Sequence, residues 1–163
     1  MRSRRTPIVV GVLVVAAAAA ILLAGGLSSA KKQSGPIVLP SHVLVPPRAT
    51  VAGLKGKPAI LHYWASWCTP CRQEAPELAK LETRLGGRAA LVGINWSDER
   101  AAARAFVQRY HWTFPNLTDA DARTSDSVGL QGLPTTLILN AKGEIAKRLY
   151  GPQTADGLAA LVR

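Results

Sequence analysis

The sequence predicts an α/β domain in which helices cover both faces of a central mixed β-sheet, preceded by one apolar N-terminal helix. Two patterns lead to this prediction. From residue 58 onward, apolar strand-like runs alternate with helical patterns, which is typical of strands joined by helical crossovers. Before that, residues 7–27 are almost all apolar and carry no charge. As a helix they would span roughly 31 Å, about the thickness of the hydrocarbon core of a bilayer.

The N-terminal segment, residues 1–30, has two interpretations. Its length favours an uncleaved signal anchor, because a secretory signal peptide has an apolar core of only about 7–15 residues. Residues 28–30 (Ser-Ser-Ala) are small enough for a signal peptidase to cut, so a cleaved and secreted form is the alternative. Arginines precede the apolar run, and they should stay in the cytoplasm. We therefore expect a single-pass membrane protein with its folded domain outside the cytoplasm.

The charge distribution and the cysteine count limit the functions that the exported part could have. The chain has 163 residues and a formal net charge of +10. Its basic residues are scattered and no basic run contains interleaved aromatic residues, so we expect no nucleic-acid binding. Cys68 and Cys71 are the only cysteines. A disulfide across so short a loop constrains the unfolded chain little, so a redox role fits better than a structural one.

The folded domain is expected at residues 53–163. Residues 31–52 are rich in Pro, Ser and Lys, which predicts a tether leading into irregular or short-strand structure. Residues 59–64 and 89–96 are nearly continuous apolar runs, as in strands that are buried on both faces of a sheet.

Two longer helices are predicted around the second of these strands. The first begins at Cys68 or Pro70 and reaches Leu85, because leucines recur at helical spacing. The second is predicted to be capped by Ser97 and to end near residue 110, with acidic residues in its first turn.

The C-terminal part is predicted from weaker patterns. After a loop at residues 114–115, a short helical stretch near 121–128 is expected. Residues 135–140 and 144–150 should form an antiparallel pair around a turn, and Thr154 should cap a short last helix. The predicted order of elements is β-α-β-α-β-β-α.

The two cysteines open a predicted helix, and this position has a chemical consequence. Cys68 would lie near the N-cap, where free backbone N–H groups and the helix dipole stabilise a thiolate and lower its pKa. Cys71 lies one turn further in and should be less accessible. Cys68 is thus the expected nucleophile, and Cys71 the thiol that closes the intramolecular disulfide.

A zinc site is the main alternative for a Cys-x-x-Cys pair, because half of a structural zinc site looks the same. Four ligands would be needed, and only His42, His62 and His111 could supply the rest. None of these histidines has a paired spacing. We therefore expect no metal, and no organic cofactor is implied.

The motif Trp-Ala-Ser-Trp-Cys-Thr-Pro-Cys at residues 64–71, Pro76, and Gly-Leu-Pro-Thr at 132–135 together resemble the thioredoxin superfamily. The resemblance implies a thioredoxin-like three-layer fold over about residues 53–163. It also implies a cis peptide bond before Pro134, packed beside the disulfide. Leu133 would pair its backbone with an extended polypeptide substrate, and Trp67 would offer a surface next to the disulfide.

Within that superfamily the chain resembles the membrane-anchored TlpA/ResA type, the thiol–disulfide oxidoreductases of cytochrome c maturation. The apolar N-terminal segment, residues 54–57, Glu74 and residues 92–95 carry this resemblance. It implies that Glu74 takes part in the proton chemistry of the cysteines. The alternative is a solvated helix residue.

His62 is a departure from the superfamily pattern. Thioredoxins carry a buried aspartate six residues before the first cysteine, and this chain has His62 there. A buried imidazole could accept the proton of Cys71, or it could be an ordinary core residue with its hydrogen bonds satisfied.

These observations predict an exported dithiol–disulfide oxidoreductase that acts on protein disulfides. The leading hypothesis is a reductase in cytochrome c maturation, with apocytochrome c as substrate and a membrane protein as electron donor. The opposite direction, donation of disulfides to exported proteins, is the alternative enzyme. A tethered binding module with an inert disulfide is the alternative that is not an enzyme. We expect a monomer.

Overall fold

The computed structural model describes residues 37–162. They form six strands and five helices, whose bounds in chain order are as follows: β1 His42–Val45, α1 Val51–Leu54, β2 Ala59–Trp64, α2 Thr69–Leu85, β3 Ala90–Trp96, α3 Arg100–Arg109, β4 Asn116–Asp119, α4 Arg123–Ser127, β5 Thr135–Leu139, β6 Ile145–Tyr150 and α5 Ala155–Ala160.

The strands form one mixed sheet in the order β1-β4-β3-β2-β5-β6. β2 pairs in parallel with β3, and β3 pairs in parallel with β4. The β5–β6 hairpin is antiparallel and lies at one edge, as predicted, while β1 lies at the other edge, antiparallel to β4. β2 is therefore a central strand, and all six of its residues are buried.

The two faces of the sheet have separate apolar cores. Ile60 and Trp64 belong to a cluster with residues of α2, α3 and α5. Leu61 and Tyr63, which alternate with them along β2, belong to a second cluster that includes Leu54 of α1. Both crossovers, β2-α2-β3 and β3-α3-β4, run in the same direction across the sheet. Because such crossovers are right-handed, they place both helices on one face.

Two predictions about the chain between residues 97 and 119 are wrong. The predicted order of elements has no strand at residues 116–119, but they form β4. Both end residues of this strand, Asn116 and Asp119, are polar although they are buried, so the apolar pattern of a strand is missing. The N-cap of α3 is Glu99 and not the predicted Ser97. The Glu99 side chain accepts from Ala102 N, while Ser97 adopts a left-handed conformation with φ of 44°.

The N-terminal predictions have different outcomes. The expected short-strand structure within residues 31–52 is present as β1. Among residues 37–162, no helix is both long enough and apolar enough to cross a membrane. The predicted membrane helix lies outside the described residues.

Gly93 on β3 lies where the sheet must accommodate a buried polar contact. The Trp64 indole donates to Asn116 Oδ1 at 3.0 Å, across the strand that carries Gly93. A Cβ at position 93 would overlap the Asn116 side chain and approach Trp64 Nε1 to 3.0 Å. Only the absence of a side chain at Gly93 lets this hydrogen bond form.

We predict that Gly93→Ala lowers the free energy of unfolding by about 1–3 kcal/mol, the usual cost of overpacking a core. Denaturant unfolding of the oxidised protein measures it. Gly132→Ala is the matched control, because a Cβ there meets nothing within 4 Å. Equal stability of the two variants would contradict this account of Gly93.

Candidate active site

The cysteine pair lies where β2 leads into α2. Cys68 is the N-cap of α2, and its Sγ accepts from Cys71 N at 3.2 Å. The two sulfurs form a disulfide, with the Cα atoms 5.3 Å apart. Cys68 is 4 % exposed and Cys71 is 1 % exposed. The cap position predicted for Cys68 is confirmed, and Cys68 is the more accessible of the two.

The loop before Cys68 is held by the β3–α3 connection. The Asp98 carboxylate accepts from Ser66 N at 2.6 Å and from Ser66 Oγ at 2.8 Å. It also accepts from Asn95 Nδ2 at 2.8 Å. These contacts fix the backbone two residues before Cys68 to the end of a neighbouring buried strand.

Trp67 projects from this loop to the surface. Its side chain is 52 % exposed, whereas Trp64 is fully buried. The Trp67 indole donates to Ser97 O at 3.1 Å, and its ring centroid lies 5.9 Å from that of Trp96. Trp67 is therefore an oriented apolar surface directly beside Cys68.

Leu133 and Pro134 lie at the same end of the sheet. The peptide bond between them is cis. Because Thr135 is in register with Tyr63, the residues that precede Thr135 lie beside the end of β2 that leads into Cys68. Pro134 is buried and its carbonyl accepts from Gly151 N at 2.9 Å, while Leu133 is partly exposed.

Glu74 lies one turn after Cys71 on α2, so the two side chains lie on the same face of the helix. It is 2 % exposed, and its Oε1 accepts from Gln153 N at 3.0 Å. Burial raises the pKa of Glu74 to about 7, and the hydrogen bond from Gln153 opposes that rise. Glu74 is therefore a buried acid that changes charge near neutral pH, and not a solvated helix residue.

His62 on β2 lies against Glu74. It is fully buried, with Nδ1 3.0 Å from Thr136 Oγ1 and Nε2 3.8 Å from Glu74 Oε2. Burial lowers the pKa of His62 to about 3, so the imidazole is neutral at physiological pH. Nε2 and Glu74 Oε2 have no hydrogen-bond partner among the described residues. His62 is thus not a fully satisfied core residue.

Sequence reasoning missed three residues that shape the site: Asp98, Thr136 and Gln153. Asp98 lies between β3 and α3, where the sequence places it in the first turn of the helix. Its hydrogen bonds to Ser66 become visible only in the folded structure. Thr136 and Gln153 reach the site through strand register and through the loop before α5, which carry no local signal. Among residues 37–162, no group of three or more His, Cys, Asp or Glu side chains is placed to hold a metal ion.

The arrangement supports thiol–disulfide chemistry. A sulfur at a helix N-cap is stabilised as a thiolate by backbone N–H groups, and here the N–H of Cys71 points at Cys68 Sγ. Cys71, buried behind it, is near enough to reform the disulfide. A buried acid with a pKa near 7 lies on the same helical face.

The curated relatives of the chain include thioredoxin-like and thiol–disulfide exchange proteins. The chain is 36% identical over 110 residues to the thioredoxin-like protein YneN of Bacillus subtilis, matching 66% of this chain and 64% of that protein. It is 31% identical over 108 residues to the thiol-disulfide oxidoreductase ResA of Bacillus subtilis, covering 66% and 60%. It is 37% identical over 106 residues to the thiol:disulfide interchange protein DsbE of Pseudomonas aeruginosa, covering 64% and 57%. The matches thus span less than two thirds of the length of these curated relatives.

Solved structures show the same fold. A secreted disulfide oxidoreductase of Mycobacterium tuberculosis superposes with a TM-score of 0.67 at 26% identity, covering 81% of this chain and 96% of that one. StoA from Bacillus subtilis superposes with a TM-score of 0.62 at 31% identity, covering 67% and 84%. These neighbours confirm the predicted thioredoxin-like fold with its mixed central sheet. The Redoxin family profile matches residues 17–161, and the chain belongs to the redoxin family, within its ResA- and DsbE-like members.

Proposed function

We propose that this protein is an exported, membrane-tethered thiol–disulfide oxidoreductase that acts on protein disulfides. The observation that carries the proposal is the Cys68–Cys71 disulfide at the start of α2, with Cys68, the more exposed residue of the pair, at the helix cap. The names of ResA and DsbE, which describe thiol–disulfide oxidoreduction and interchange, support the same chemistry.

The reaction begins from the reduced pair. The Cys68 thiolate attacks one sulfur of a substrate disulfide, and the other substrate sulfur leaves as a thiolate. Cys71 then loses its proton and attacks Cys68 Sγ. The new Cys68–Cys71 bond forms while the Cys68–substrate bond breaks, with its electron pair going to the substrate sulfur. Two electrons have passed from the protein to the substrate.

The substrate class follows from the surroundings of Cys68. Leu133 is partly exposed at the end of the sheet, where an extended segment could add to its backbone, and Trp67 offers an exposed apolar surface next to Cys68. Backbone pairing holds a polypeptide without reading much of its sequence. We assign Leu133, Pro134 and Trp67 to substrate binding on this basis.

Glu74 is assigned to catalysis as the acceptor of the Cys71 proton. Its position one turn after Cys71 places the carboxylate on the same face, and burial gives it a pKa of about 7. A base whose pKa is close to the working pH exchanges protons in both directions.

The reducing direction is favoured by the same carboxylate. A disulfide becomes strongly oxidising when its reduced form is stabilised. An ionised Glu74 close to Cys71 repels a thiolate on Cys71. The reduced pair is therefore not stabilised by ionisation of Cys71, and the disulfide is a weaker oxidant. We therefore propose a reductase, with apocytochrome c as substrate and a membrane electron donor. Residues 1–30 would be the anchor and the residues between it and the sheet the tether, while β1 already belongs to the catalytic domain. The monomeric catalytic domain would lie outside the cytoplasm.

We predict that reduced Cys71→Ser accumulates a covalent complex with a disulfide-bearing protein, because Cys68 can attack but the mixed disulfide cannot be resolved. Non-reducing electrophoresis detects the complex, and a reductant should release it. Cys68→Ser is the matched control and should trap nothing. Trapping by Cys68→Ser in place of Cys71→Ser would reverse the two roles, and trapping by neither would refute the proposed function.

We predict that Glu74 gives stability a specific dependence on pH. Its pKa rises from 4.5 to about 7 on folding, so its contribution is fully present below pH 4.5 and is lost as the pH rises through 7. The loss is about 3 kcal/mol by proton linkage. Urea unfolding of wild type and Glu74→Gln at pH 4 and pH 8 isolates it, since His62 is present in both proteins.

Glu77→Gln is the control for this experiment. The backbone N–H of Ala155 lowers the pKa of Glu77, so its contribution is present at neutral pH and is lost on acidification. The two variants should therefore change the pH dependence with opposite signs. If wild type and Glu74→Gln keep the same stability difference at pH 4 and pH 8, Glu74 does not titrate near neutrality.

A further inference from the structure

Four polar groups form a buried row beside the cysteines. Thr136 Oγ1 lies 3.0 Å from His62 Nδ1, and His62 Nε2 lies 3.8 Å from Glu74 Oε2. Glu74 Oε1 ends the row by accepting from Gln153 N. Three parts of the fold bring them together: His62 and Thr136 are opposite each other on β2 and β5, Glu74 is on α2, and Gln153 precedes α5.

The two inner atoms of the row are complementary. His62 Nε2 and Glu74 Oε2 are both buried, and neither has another hydrogen-bond partner among residues 37–162. An unpaired buried polar atom costs on the order of 1–3 kcal/mol. They face each other, so one proton between them would satisfy both when the gap closes by less than about 1 Å, as in the tightening of catalytic hydrogen bonds during a reaction.

Thr136 makes two hydrogen-bond patterns possible, because a hydroxyl can donate or accept. When Glu74 is protonated, Oε2–H donates to Nε2 and Nδ1–H donates to Thr136 Oγ1. When Glu74 is ionised, Nε2–H donates to Oε2 and the Thr136 hydroxyl donates to Nδ1. The imidazole carries one proton in both patterns, and every atom of the row is paired in both.

We propose that His62 is a positioning residue whose tautomer changes with the protonation of Glu74, so that the Glu74 carboxyl keeps a hydrogen bond at Oε2 in both of its states. The inference rests on the proposed function, in which Glu74 accepts the proton of Cys71. When Cys71 Sγ loses its proton, that proton is added to the row and Glu74 Oε2 becomes protonated. The single imidazole proton is then on Nδ1 in place of Nε2.

Other titratable groups on the elements around the row are paired with other residues or exposed. On α2, Glu77 accepts from Ala155 N and from Lys80, and on α5 the exposed Asp156 pairs with Arg84. On β6, Lys147 is exposed. Opposite His62 on β3 is Gly93, which has no side chain. The Trp112 ring meets His62 edge-on, with its indole N–H donated to Ala75 O. Cys71 lies three residues before Glu74 on the same helix.

The consequence is a buried acid that can ionise near neutral pH. Hydrogen bonds to a carboxylate are stronger than those to a neutral acid, so the Nε2–H donor stabilises the ionised form more than the acceptor stabilises the neutral form. The Nε2–H donor would hold the pKa of Glu74 below the value that burial and the Gln153 hydrogen bond alone set. Without His62 that pKa would be higher, so a smaller fraction of Glu74 would be ionised and able to accept the Cys71 proton near neutral pH.

Histidine ¹⁵N NMR on the full chain tests the tautomer directly. His62 is assigned by the loss of its signals in His62→Gln, with the exposed His42 and His111 as internal references. Between pH 5 and 9, His62 should stay neutral and change from the Nδ1–H to the Nε2–H form with a midpoint near 7. Glu74→Gln should abolish the change, and Thr136→Ser should keep it. A single tautomer across the range, a charged imidazole, or a change that persists in Glu74→Gln would overturn the proposal.

The rate of Cys71 attack on a Cys68 mixed disulfide provides a second readout. Its pH profile should move up by about one pH unit in His62→Leu, so the rate at pH 6 should fall about tenfold. His62→Gln keeps a donor and an acceptor, so its profile should move less, and it serves if His62→Leu does not fold. An unmoved profile in both variants would contradict the positioning role. If wild type shows the tautomer change but no activity on protein disulfides, the proposed function fails, while the coupling of the His62 tautomer to the protonation of Glu74 stands.

Discussion

The placement of Cys68 as the cap of α2 is the constraint on which the rest of the site depends. β2 is a central strand buried along its whole length, so the chain leaves it at a fixed point at the end of the sheet. The helix that follows must begin with a residue that can satisfy free N–H groups, and here a sulfur does so. The same contact that starts the helix therefore also stabilises the sulfur that we propose as the nucleophile.

Two polar side chains near the cysteines are buried at a cost in folding stability. His62 and Glu74 occupy positions in the core where apolar residues would pack without a desolvation cost. Their pKa values move in opposite directions, down for the imidazole and up for the carboxyl, because burial disfavours the charged form of each. A neutral buried imidazole and a buried carboxyl whose pKa is close to 7 are suited to exchanging protons with a neighbouring dithiol, which a purely apolar core could not do.

The sequence predicted the fold best where the local pattern and the final environment agree. β2 is apolar because both of its faces are buried, and Cys68 reads as a cap because a helical pattern follows it. β4 was missed because its end residues, Asn116 and Asp119, are polar, and they are buried only because the structure gives them partners. The contacts of Asp98 with Ser66 and the buried row from Thr136 to Gln153 depend on strand register and loop placement. Neither leaves a recognisable pattern in the residues around these positions.

The reduction potential of the Cys68–Cys71 couple, measured on the full chain at pH 7, tests the central claim most directly. If the chain is a reductase whose reduced form gains little from its surroundings, the potential should lie near the value of thioredoxin, about −270 mV. A potential near about −120 mV, as in the strong oxidant DsbA, would contradict the account and identify the protein as a donor of disulfides.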